Sequence, residues 1–322
     1  MRLSVLAVLA ATAVSLAVAG TRLRKPAHGF QVRATPFTVQ PSQDIEMCEY
    51  RRLPNPKTMD VNSFTLRMPA GAHHFVLWAY GGNLTDDSQF PQTPVPAAAC
   101  SGVAPDNSVP EVLIPIQTPN ARFRFPKGIA ISLDPHEQVF LDSHMRNGSP
   151  DPIVADVRFN MYKARSKSVE HHAQGLIIGN TTDIHIPAGG DQTLTAEWTA
   201  PVGLTLLELS THQHRLGTYA NIQTVAAGVP TTIYENTDWE HPPPFWPQPA
   251  IHLGVGDKIR ITCTWHNTDD HEVDFGPKTT DEMCFILGFY YRDGDATDPV
   301  TGGGCQPARR GLLCPQAPAI VP

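Results

Sequence analysis

Prolines divide this sequence into short segments, and that division limits what the chain can fold into. The 322 residues include 31 prolines, and only 17% of the residues are charged. Because proline interrupts helices and central strands, this composition favours short strands and rigid loops over long helices. No segment carries the apolar period of a long amphipathic helix. We therefore predict an all-β protein.

The apolar segments are bounded by Pro, Gly, Asn or Asp, as strands commonly are. The predicted strands are residues 63–68, 75–80, 129–133, 139–144, 155–162, 193–198, 205–212, 219–225, 231–234, 258–265 and 285–291. Short strands with regular turn signals indicate sandwiches or barrels. We predict two tandem antiparallel β-sandwich domains that are jelly-roll-like.

A polar stretch at residues 163–174 separates two strand-rich parts of the chain. We place an N-terminal domain at residues 27–165 and a C-terminal domain at residues 174–292. Residues 293–322 are rich in Gly and Pro and offer little apolar surface to bury. They are predicted to form a poorly packed tail.

The first 19 residues have the pattern of a secretory signal peptide. Arg2 precedes an apolar stretch, and the small residues Ala17 and Ala19 flank Val18 before Gly20. The alternative is an uncleaved anchor, but the apolar run is short for a bilayer, and no later segment is long and apolar enough to span one. The sequence thus predicts a secreted or periplasmic protein.

The net charge and the cysteine content narrow the functional classes that this protein can belong to. The formal net charge is -7, and no basic stretch is interleaved with aromatics, which argues against a nucleic-acid partner. An even number of cysteines fits an oxidising compartment, and no Cys-x-x-Cys spacing suggests a cysteine metal site. Sequence alone leaves 15 pairings open among Cys48, Cys100, Cys263, Cys284, Cys305 and Cys314.

Two histidines and a methionine form the first candidate metal site. His212 ends a predicted strand and His214 follows two residues later, so in extended backbone the two side chains project from one face about 6–7 Å apart. Met283 would add a thioether, and this soft set suits Cu(I) better than zinc, magnesium or calcium. The histidine pair and the methionine each have a simpler interpretation, since His-x-His is common on surface strands and methionine usually fills gaps in a core.

Three histidines form a second candidate site. His73 and His74 begin one apolar run, and His144 ends another. Neighbours in a regular strand point to opposite faces, so both can bind one ion only where the backbone bends. Gly71 supplies a permissive residue just before the pair. The alternative is one buried and one exposed histidine.

These motifs resemble the catalytic core of the copper type II, ascorbate-dependent monooxygenases. The resemblance covers residues 46–291 and includes Cys263 and Cys284. The motifs that carry it, in chain order, are His73-His74, Phe125-Pro126-Lys127-Gly128, His212-Gln213-His214-Arg215-Leu216-Gly217 and Asp281-Glu282-Met283-Cys284.

The resemblance implies an enzyme that hydroxylates a C–H bond of a small-molecule substrate with O2, two copper ions and ascorbate as reductant. His212, His214 and Met283 would form the catalytic copper site. The other copper, which passes on an electron, would be held by His73, His74 and His144. The resemblance also implies Cys263–Cys284 and Cys48–Cys100 disulfides, which leaves Cys305 with Cys314.

The chain departs from the family in its substrate residues. Peptide-hydroxylating members hold a carboxylate with an arginine two positions before His-x-His, where this chain has Ser210. Phe285 and Leu287 replace an asparagine and a tyrosine that follow the methionine. Two alternatives therefore stay open, a secreted copper carrier without turnover and a non-catalytic β-sandwich binding module.

Two further features belong to loops. His171 and His172 lie in the polar linker without matching partners, so we expect them to be exposed to solvent. Residues 239–247 combine prolines with aromatics. That loop suits either the wall of a substrate pocket or a stiff element that packs on its own domain.

Overall fold

The computed structural model describes residues 22–79, 87, 90–97, 111–165, 168–180, 182–295 and 312–316. The predicted signal peptide, residues 1–19, lies outside them. Besides short 3-10 turns such as Asp293–Asp295, the regular elements in these ranges are strands, and the all-β prediction is confirmed. None of the helices within the described ranges has the length and apolarity needed to cross a bilayer.

The first part of the chain forms a two-layered sandwich. One layer has the order β1-β12-β4-β9-β13, with β8 on β4, and the other has the order β6-β3-β10-β5-β7, while β2 pairs with β11. The strands are β1 Gly29–Arg33, β2 Phe37–Val39, β3 Asp44–Arg52, β4 Met59–Arg67, β5 Ala72–Ala79, β6 Val95–Pro96, β7 Glu111–Ile116, β8 Arg122–Arg124, β9 Ile129–Leu133, β10 Gln138–Arg146, β11 Ile153–Ala155, β12 Arg158–Lys163 and β13 His171–His172.

The second part forms another sandwich. Its layers have the orders β20-β17-β23-β14-β24 and β16-β21-β18-β19, and β15 pairs with β22. The strands are β14 Gln174–Asn180, β15 His185–Ile186, β16 Asp191–Thr199, β17 Leu204–His212, β18 Gly217–Ala226, β19 Val229–Asn236, β20 Ile251–Leu253, β21 Lys258–His266, β22 Val273–Asp274, β23 Cys284–Arg292 and β24 Leu312–Gln316.

Burial along the strands shows which faces are covered. In β21, buried residues alternate with partly exposed ones, because one face packs on the core and the other meets solvent. In β17 every residue is buried. Leu209 packs in the core of the second sandwich, whereas Leu207 joins the core of the first. The C-terminal sandwich therefore presents an outer face of β17 to the N-terminal sandwich.

Close backbone approach and aromatic packing hold the two sandwiches together. A Cβ at Gly175 of β14 would lie 2.4 Å from the carbonyl oxygen of Val112 in β7, so only glycine permits this approach. Phe289 of β23 packs against Phe123 and Phe125, with ring centroids 5.6 and 5.1 Å apart. This junction sets how the predicted ligand strands of one sandwich lie relative to those of the other.

Disulfides join parts of the fold that hydrogen bonds leave separate. Cys263 in β21 and Cys284 in β23 are bonded across the two sheets of the C-terminal sandwich, with a Cα–Cα distance of 6.0 Å. This predicted pair is confirmed. Cys48 is also disulfide-bonded, but its predicted partner Cys100, and Cys305 of the third predicted pair, lie outside the described residues.

One short segment of the predicted linker and one of the predicted tail form strands that the sequence did not indicate. His171 and His172 pair in parallel with β9, and His171 stacks on Tyr291 at 4.3 Å. The prediction of a solvent-exposed pair therefore holds for His172 and is wrong for His171. In the predicted tail, Leu312–Gln316 pairs in parallel with β14. Backbone hydrogen bonding to a free sheet edge needs no apolar side chains, which is why composition did not indicate this strand.

A buried carboxyl group on β17 generates a prediction about stability. Burial raises the pKa of Glu208 from its ordinary 4.5 to about 8, and among the described residues no hydrogen bond opposes that shift. The folded protein therefore binds a proton that the unfolded chain releases. The resulting stabilisation is complete below pH 4.5 and is lost as the pH rises through 8.

We expect Glu208→Gln to remove this loss. The variant's free energy of unfolding, relative to the native chain, should rise by about 1.4 kcal/mol per pH unit between pH 4.5 and 8 and then level off. Urea unfolding at several pH values measures this difference. Glu197→Gln is the control, because Lys258 and Arg260 lower the pKa of Glu197 against the effect of burial. Its substitution should lower stability at neutral pH. Parallel pH curves for Glu208→Gln and the native chain would contradict the prediction.

Candidate metal centre

A β-bulge lets two adjacent histidines share one side of a strand. In the pairing of β5 with β10, His144 lies opposite His74, and Met145 lies opposite Ala72. His73 is therefore the extra residue on β5, and the ladder shifts at that point. Both His73 and His74 are buried. The bend that the sequence required for a shared site is present.

Gly71 makes this bend possible. Its φ is +86°, a left-handed conformation that favours glycine. The carbonyl oxygen of Gly71 accepts a 2.6 Å hydrogen bond from the backbone N–H of Arg146. A Cβ at Gly71 would lie 2.6 Å from the carbonyl oxygen of Arg146. Strand β10 thus closes tightly over the turn that precedes the histidine pair.

The imidazoles from the two domains form one cluster rather than two distant groups. His73 and His74 have ring centroids 5.6 and 5.4 Å from that of His212, across the domain junction. Within the domains, His74 and His144 lie 4.9 Å apart, and His212 and His214 lie 5.1 Å apart. The prediction of two independent sets placed the ligand strands in separate domains. It did not anticipate that docking would bring the sets into contact.

Acidic side chains hold the imidazoles on the N-terminal side. Nε2 of His74 lies 3.1 Å from Oε1 of Glu46, and Nε2 of His144 lies 2.7 Å from Oδ1 of Asp44. The Thr279 hydroxyl lies 2.9 Å from the same nitrogen of His144. Because a carboxylate can only accept, Nε2 carries the proton in both rings. Nδ1 is left with a free lone pair in each.

Neutral acceptors hold the imidazoles on the C-terminal side. Nδ1 of His214 donates to the carbonyl oxygen of Asp281 at 3.0 Å, and Nδ1 of His212 lies 2.6 Å from Oε1 of Gln117. Because Nδ1 carries the proton in His212 and His214, Nε2 is the nitrogen that is available to a metal in both rings. Metal-binding histidines usually donate their other N–H to a carboxylate or carbonyl in this way.

Burial favours the neutral, metal-binding form of four imidazoles in the cluster. It is the largest cause of a lowered pKa in His73, His74, His212 and His214, and the charges of neighbouring imidazoles add to it. For His214 the pKa falls to about 4. Burial alone would raise the pKa of Glu46, but its hydrogen bond to His74 lowers it. The surroundings thus favour neutral imidazoles beside an ionised carboxylate.

Unsatisfied nitrogens show that the cluster fits a metal. Within the described ranges, five buried ring nitrogens have no hydrogen-bond partner: Nδ1 and Nε2 of His73, Nδ1 of His74, Nδ1 of His144 and Nε2 of His214. An unpaired buried polar atom costs about 1–3 kcal/mol. Five together are comparable to the whole stability of a domain, about 5–15 kcal/mol. One ligand nitrogen each from His73, His74 and His212 lies within 4.8 Å of the other two, and imidazole is a good copper ligand.

Glu282 connects the two ligand segments of the C-terminal domain. Its carboxylate accepts hydrogen bonds from the backbone N–H groups of His214 at 2.9 Å and Leu216 at 2.7 Å, and from the indole N–H of Trp265 at 2.8 Å. Burial raises the pKa of Glu282 to about 7, although these donors oppose the shift. These hydrogen bonds hold Glu282, and with it the segment that contains Met283, against the turn that carries His214.

Met283 is placed by its neighbours in the chain. Glu282 precedes it, and Cys284, which follows it, is held by the disulfide. The side chain of Met283 packs against an apolar cluster that includes Val76, Phe285 and Leu287. Its role as a sulfur ligand stays a prediction.

The proline-rich loop covers part of the cluster. The Trp239 ring lies 5.6 Å from that of His73, and the guanidinium of Arg146 lies 5.0 Å above Trp239. Arg146 also pairs with Glu240 at 3.0 Å. Phe245, by contrast, packs on Tyr234 of its own domain. The role of packing on its own domain is therefore confirmed for Phe245, and the role of this loop as the wall of a substrate pocket stays a prediction.

Several residues that build the site were missed at the level of sequence. Asp44 and Glu46 are two apart on β3, which indicates one face, but only the pairing of β3 with β10 places them near His144. Gln117 follows β7 and reaches the site through domain docking, for which the sequence has no local signal. Glu282 lies in the Asp281-Glu282-Met283-Cys284 motif, but the sequence indicates no role for it.

Comparison with known proteins supports the family prediction. Residues 172–307 match the family described as copper type II ascorbate-dependent monooxygenase, C-terminal domain. This part of the chain belongs to that family. The match covers His212, His214 and Met283, and it does not include His73, His74 or His144. A search of curated proteins found no match.

Similarity to solved structures is weak. The crystal structure of the STIV MCP has 11% sequence identity and a TM-score of 0.33, over 82% of this chain and 92% of that chain. A structure of the infectious bursal disease virus Gx strain has 10% identity and a TM-score of 0.18, over 87% and 77% of the two chains. Scores this low carry no argument about the monooxygenase domain.

The bulge offers a direct test of the cluster geometry. We expect Gly71→Ala to lower the free energy of unfolding by about 1–3 kcal/mol, because a side chain is strained at this positive φ. It should also weaken metal binding, because the turn orients His73 and His74. Chemical unfolding and copper titration measure the two effects. Gly148→Ala is the matched control, since its Cβ would meet nothing within 4 Å. Equal free energies of unfolding and equal copper affinities for the two variants would contradict the prediction.

Proposed function

We propose that this protein is a copper-dependent monooxygenase that hydroxylates a C–H bond of a small molecule with O2 and an external reductant such as ascorbate. One observation carries the proposal. Five buried imidazoles meet at the junction of two sandwiches with ring nitrogens left unpaired. The family match of residues 172–307 supports copper as the metal of this cluster.

We assign the ligands according to the domain that supplies them. His212, His214 and Met283 would hold the copper that meets O2, and His73, His74 and His144 would hold a second copper. Bound copper supplies one-electron redox chemistry, and the thioether favours the Cu(I) state. Two ions are proposed because oxygen insertion needs two electrons from the reductant and each copper carries one.

The surrounding residues would orient the ligands and exclude water. Asp44 and Glu46 fix which nitrogen of their imidazoles stays unprotonated. Phe285, Leu287 and Val76 form a buried apolar cluster against which Met283 packs. Dry apolar walls strengthen electrostatic interactions within a site and suppress side reactions.

We infer a secreted or periplasmic location. The Cys263–Cys284 disulfide supports this, because disulfides persist in oxidising compartments. Cys284 directly follows Met283, so the proposed sulfur ligand lies in a segment that the disulfide holds in place.

The first test is metal content together with oxygen use. The mature protein should take up two coppers, and His212→Ala should remove one of them, because each domain supplies its own ligands. Elemental analysis after reconstitution with copper and zinc measures both. One copper in the native protein, or a preference for zinc, would contradict the two-site proposal. Ascorbate-dependent O2 uptake then separates an enzyme from a carrier, which would bind copper without turnover.

The second test concerns the substrate. Ser210 stands where a carboxylate-binding arginine occurs in peptide-hydroxylating relatives, and its hydroxyl accepts a hydrogen bond from Gln117. A buried carboxylate needs a charged partner, and an apolar wall cannot supply one. We therefore expect glycine-extended peptides to be poor substrates compared with neutral aromatic compounds. A side-by-side assay with ascorbate and O2 measures the difference. Efficient hydroxylation of the peptide would refute this inference and would point to a basic residue such as Arg215.

A further inference from the structure

Gln117 belongs to the N-terminal domain and bonds directly to the ligand strand of the C-terminal domain. It follows β7 and is buried. Its side chain makes three hydrogen bonds to consecutive residues at the end of β17. Nε2 lies 3.0 Å from Oγ of Ser210 and 3.0 Å from the carbonyl oxygen of Thr211, and Oε1 lies 2.6 Å from Nδ1 of His212.

The partners determine which way the amide points. The carbonyl oxygen of Thr211 can only accept, so the atom of Gln117 that faces it is the NH2 group. With the amide reversed, two oxygens would face each other at 3.0 Å. The oxygen of Gln117 is therefore the atom that faces the imidazole of His212.

The amide orientation determines the tautomer of His212 in turn. An amide oxygen only accepts, so Nδ1 of His212 carries the proton and donates it. Nε2 then holds the lone pair that a metal needs. His214 reaches the same tautomer through a backbone carbonyl of its own domain. His212 depends on a side chain from across the domain junction.

We propose that Gln117 is a positioning residue that sets the tautomer and ring orientation of His212 from the opposite domain, and so links domain docking to metal binding. This proposal rests on the proposed function only in taking His212 as a copper ligand. Gln117 itself touches no metal and no reacting atom.

The metal-free native protein provides the first test. In 15N-labelled protein near neutral pH, His212 should show the proton on Nδ1. Its signals are identified by their loss in His212→Ala. A proton on Nε2 would overturn the proposal without any variant of Gln117.

Two variants distinguish the effect of the hydrogen-bond acceptor of Gln117 from the effect of its side-chain volume. Gln117→Leu keeps a similar volume but removes the acceptor, so His212 should lose its single tautomer and Cu(I) affinity should fall about 10–100-fold. Gln117→Glu keeps an oxygen facing Nδ1, and its carboxyl proton can replace the NH2 group that donates to Thr211, so the tautomer should persist and most of the affinity should return. Competition with a chromogenic Cu(I) chelator under anaerobic conditions measures the affinity.

Asn236 is the matched control. Its side-chain amide is also buried and donates to Oγ1 of Thr211 at 3.1 Å and to the carbonyl oxygen of Asp238 at 2.9 Å, and neither partner is an imidazole. Asn236→Leu should leave the His212 tautomer and the Cu(I) affinity within about threefold of the native values. An equal loss in Asn236→Leu and Gln117→Leu would overturn the proposal, because any buried amide that is hydrogen-bonded to this strand would then have the same effect.

The outcomes also separate this proposal from the proposed function. If the native protein binds no copper, the monooxygenase function fails, yet a tautomer that depends on Gln117 still supports the positioning role. If copper binds and Gln117→Leu keeps both the tautomer and the affinity, the positioning role fails and the proposed function stands.

Discussion

The burial of neutral imidazoles between two docked sandwiches is the constraint on which the rest of this structure depends. Unpaired ring nitrogens in a dry junction would consume a large part of the folding free energy. The junction is nevertheless tight, since glycine at position 175 lets the two backbones approach closely. Apolar packing around Phe289 offsets the cost of closing it. The proposed role of these imidazoles as copper ligands would account for their unpaired ring nitrogens.

The two halves of the cluster differ in the atoms that hold them. Carboxylates of Asp44 and Glu46 accept from the N-terminal imidazoles, whereas an amide and a backbone carbonyl accept from His212 and His214. A carboxylate partner makes an imidazole a stronger electron donor than a neutral partner does. The same residue type therefore offers two electronic environments within a few ångströms. This difference agrees with the separate roles proposed for the two ligand sets.

Periodicity and turn residues were enough to predict the all-β class and most long strands, because those signals are local. The family motifs gave the ligand candidates and the Cys263–Cys284 pair. Sequence could not give Gln117 or the contact of Trp239 with His73, since both arise from docking of distant segments. It also missed Leu312–Gln316, whose pairing depends on backbone atoms that every residue has. Burial and hydrogen bonding across the junction are long-range properties that no window of sequence contains.

The bulge at His73 makes the proposed metal binding depend on the number of residues as well as on their kind. A chain one residue shorter before His74 could retain strand β5, its pairing with β10 and its apolar core, yet present a single imidazole to the junction. Related sequences should therefore be aligned on the spacing between Gly71 and the histidine pair. An alignment gap there would separate chains that keep both imidazoles of the proposed site from chains that share only the sandwich.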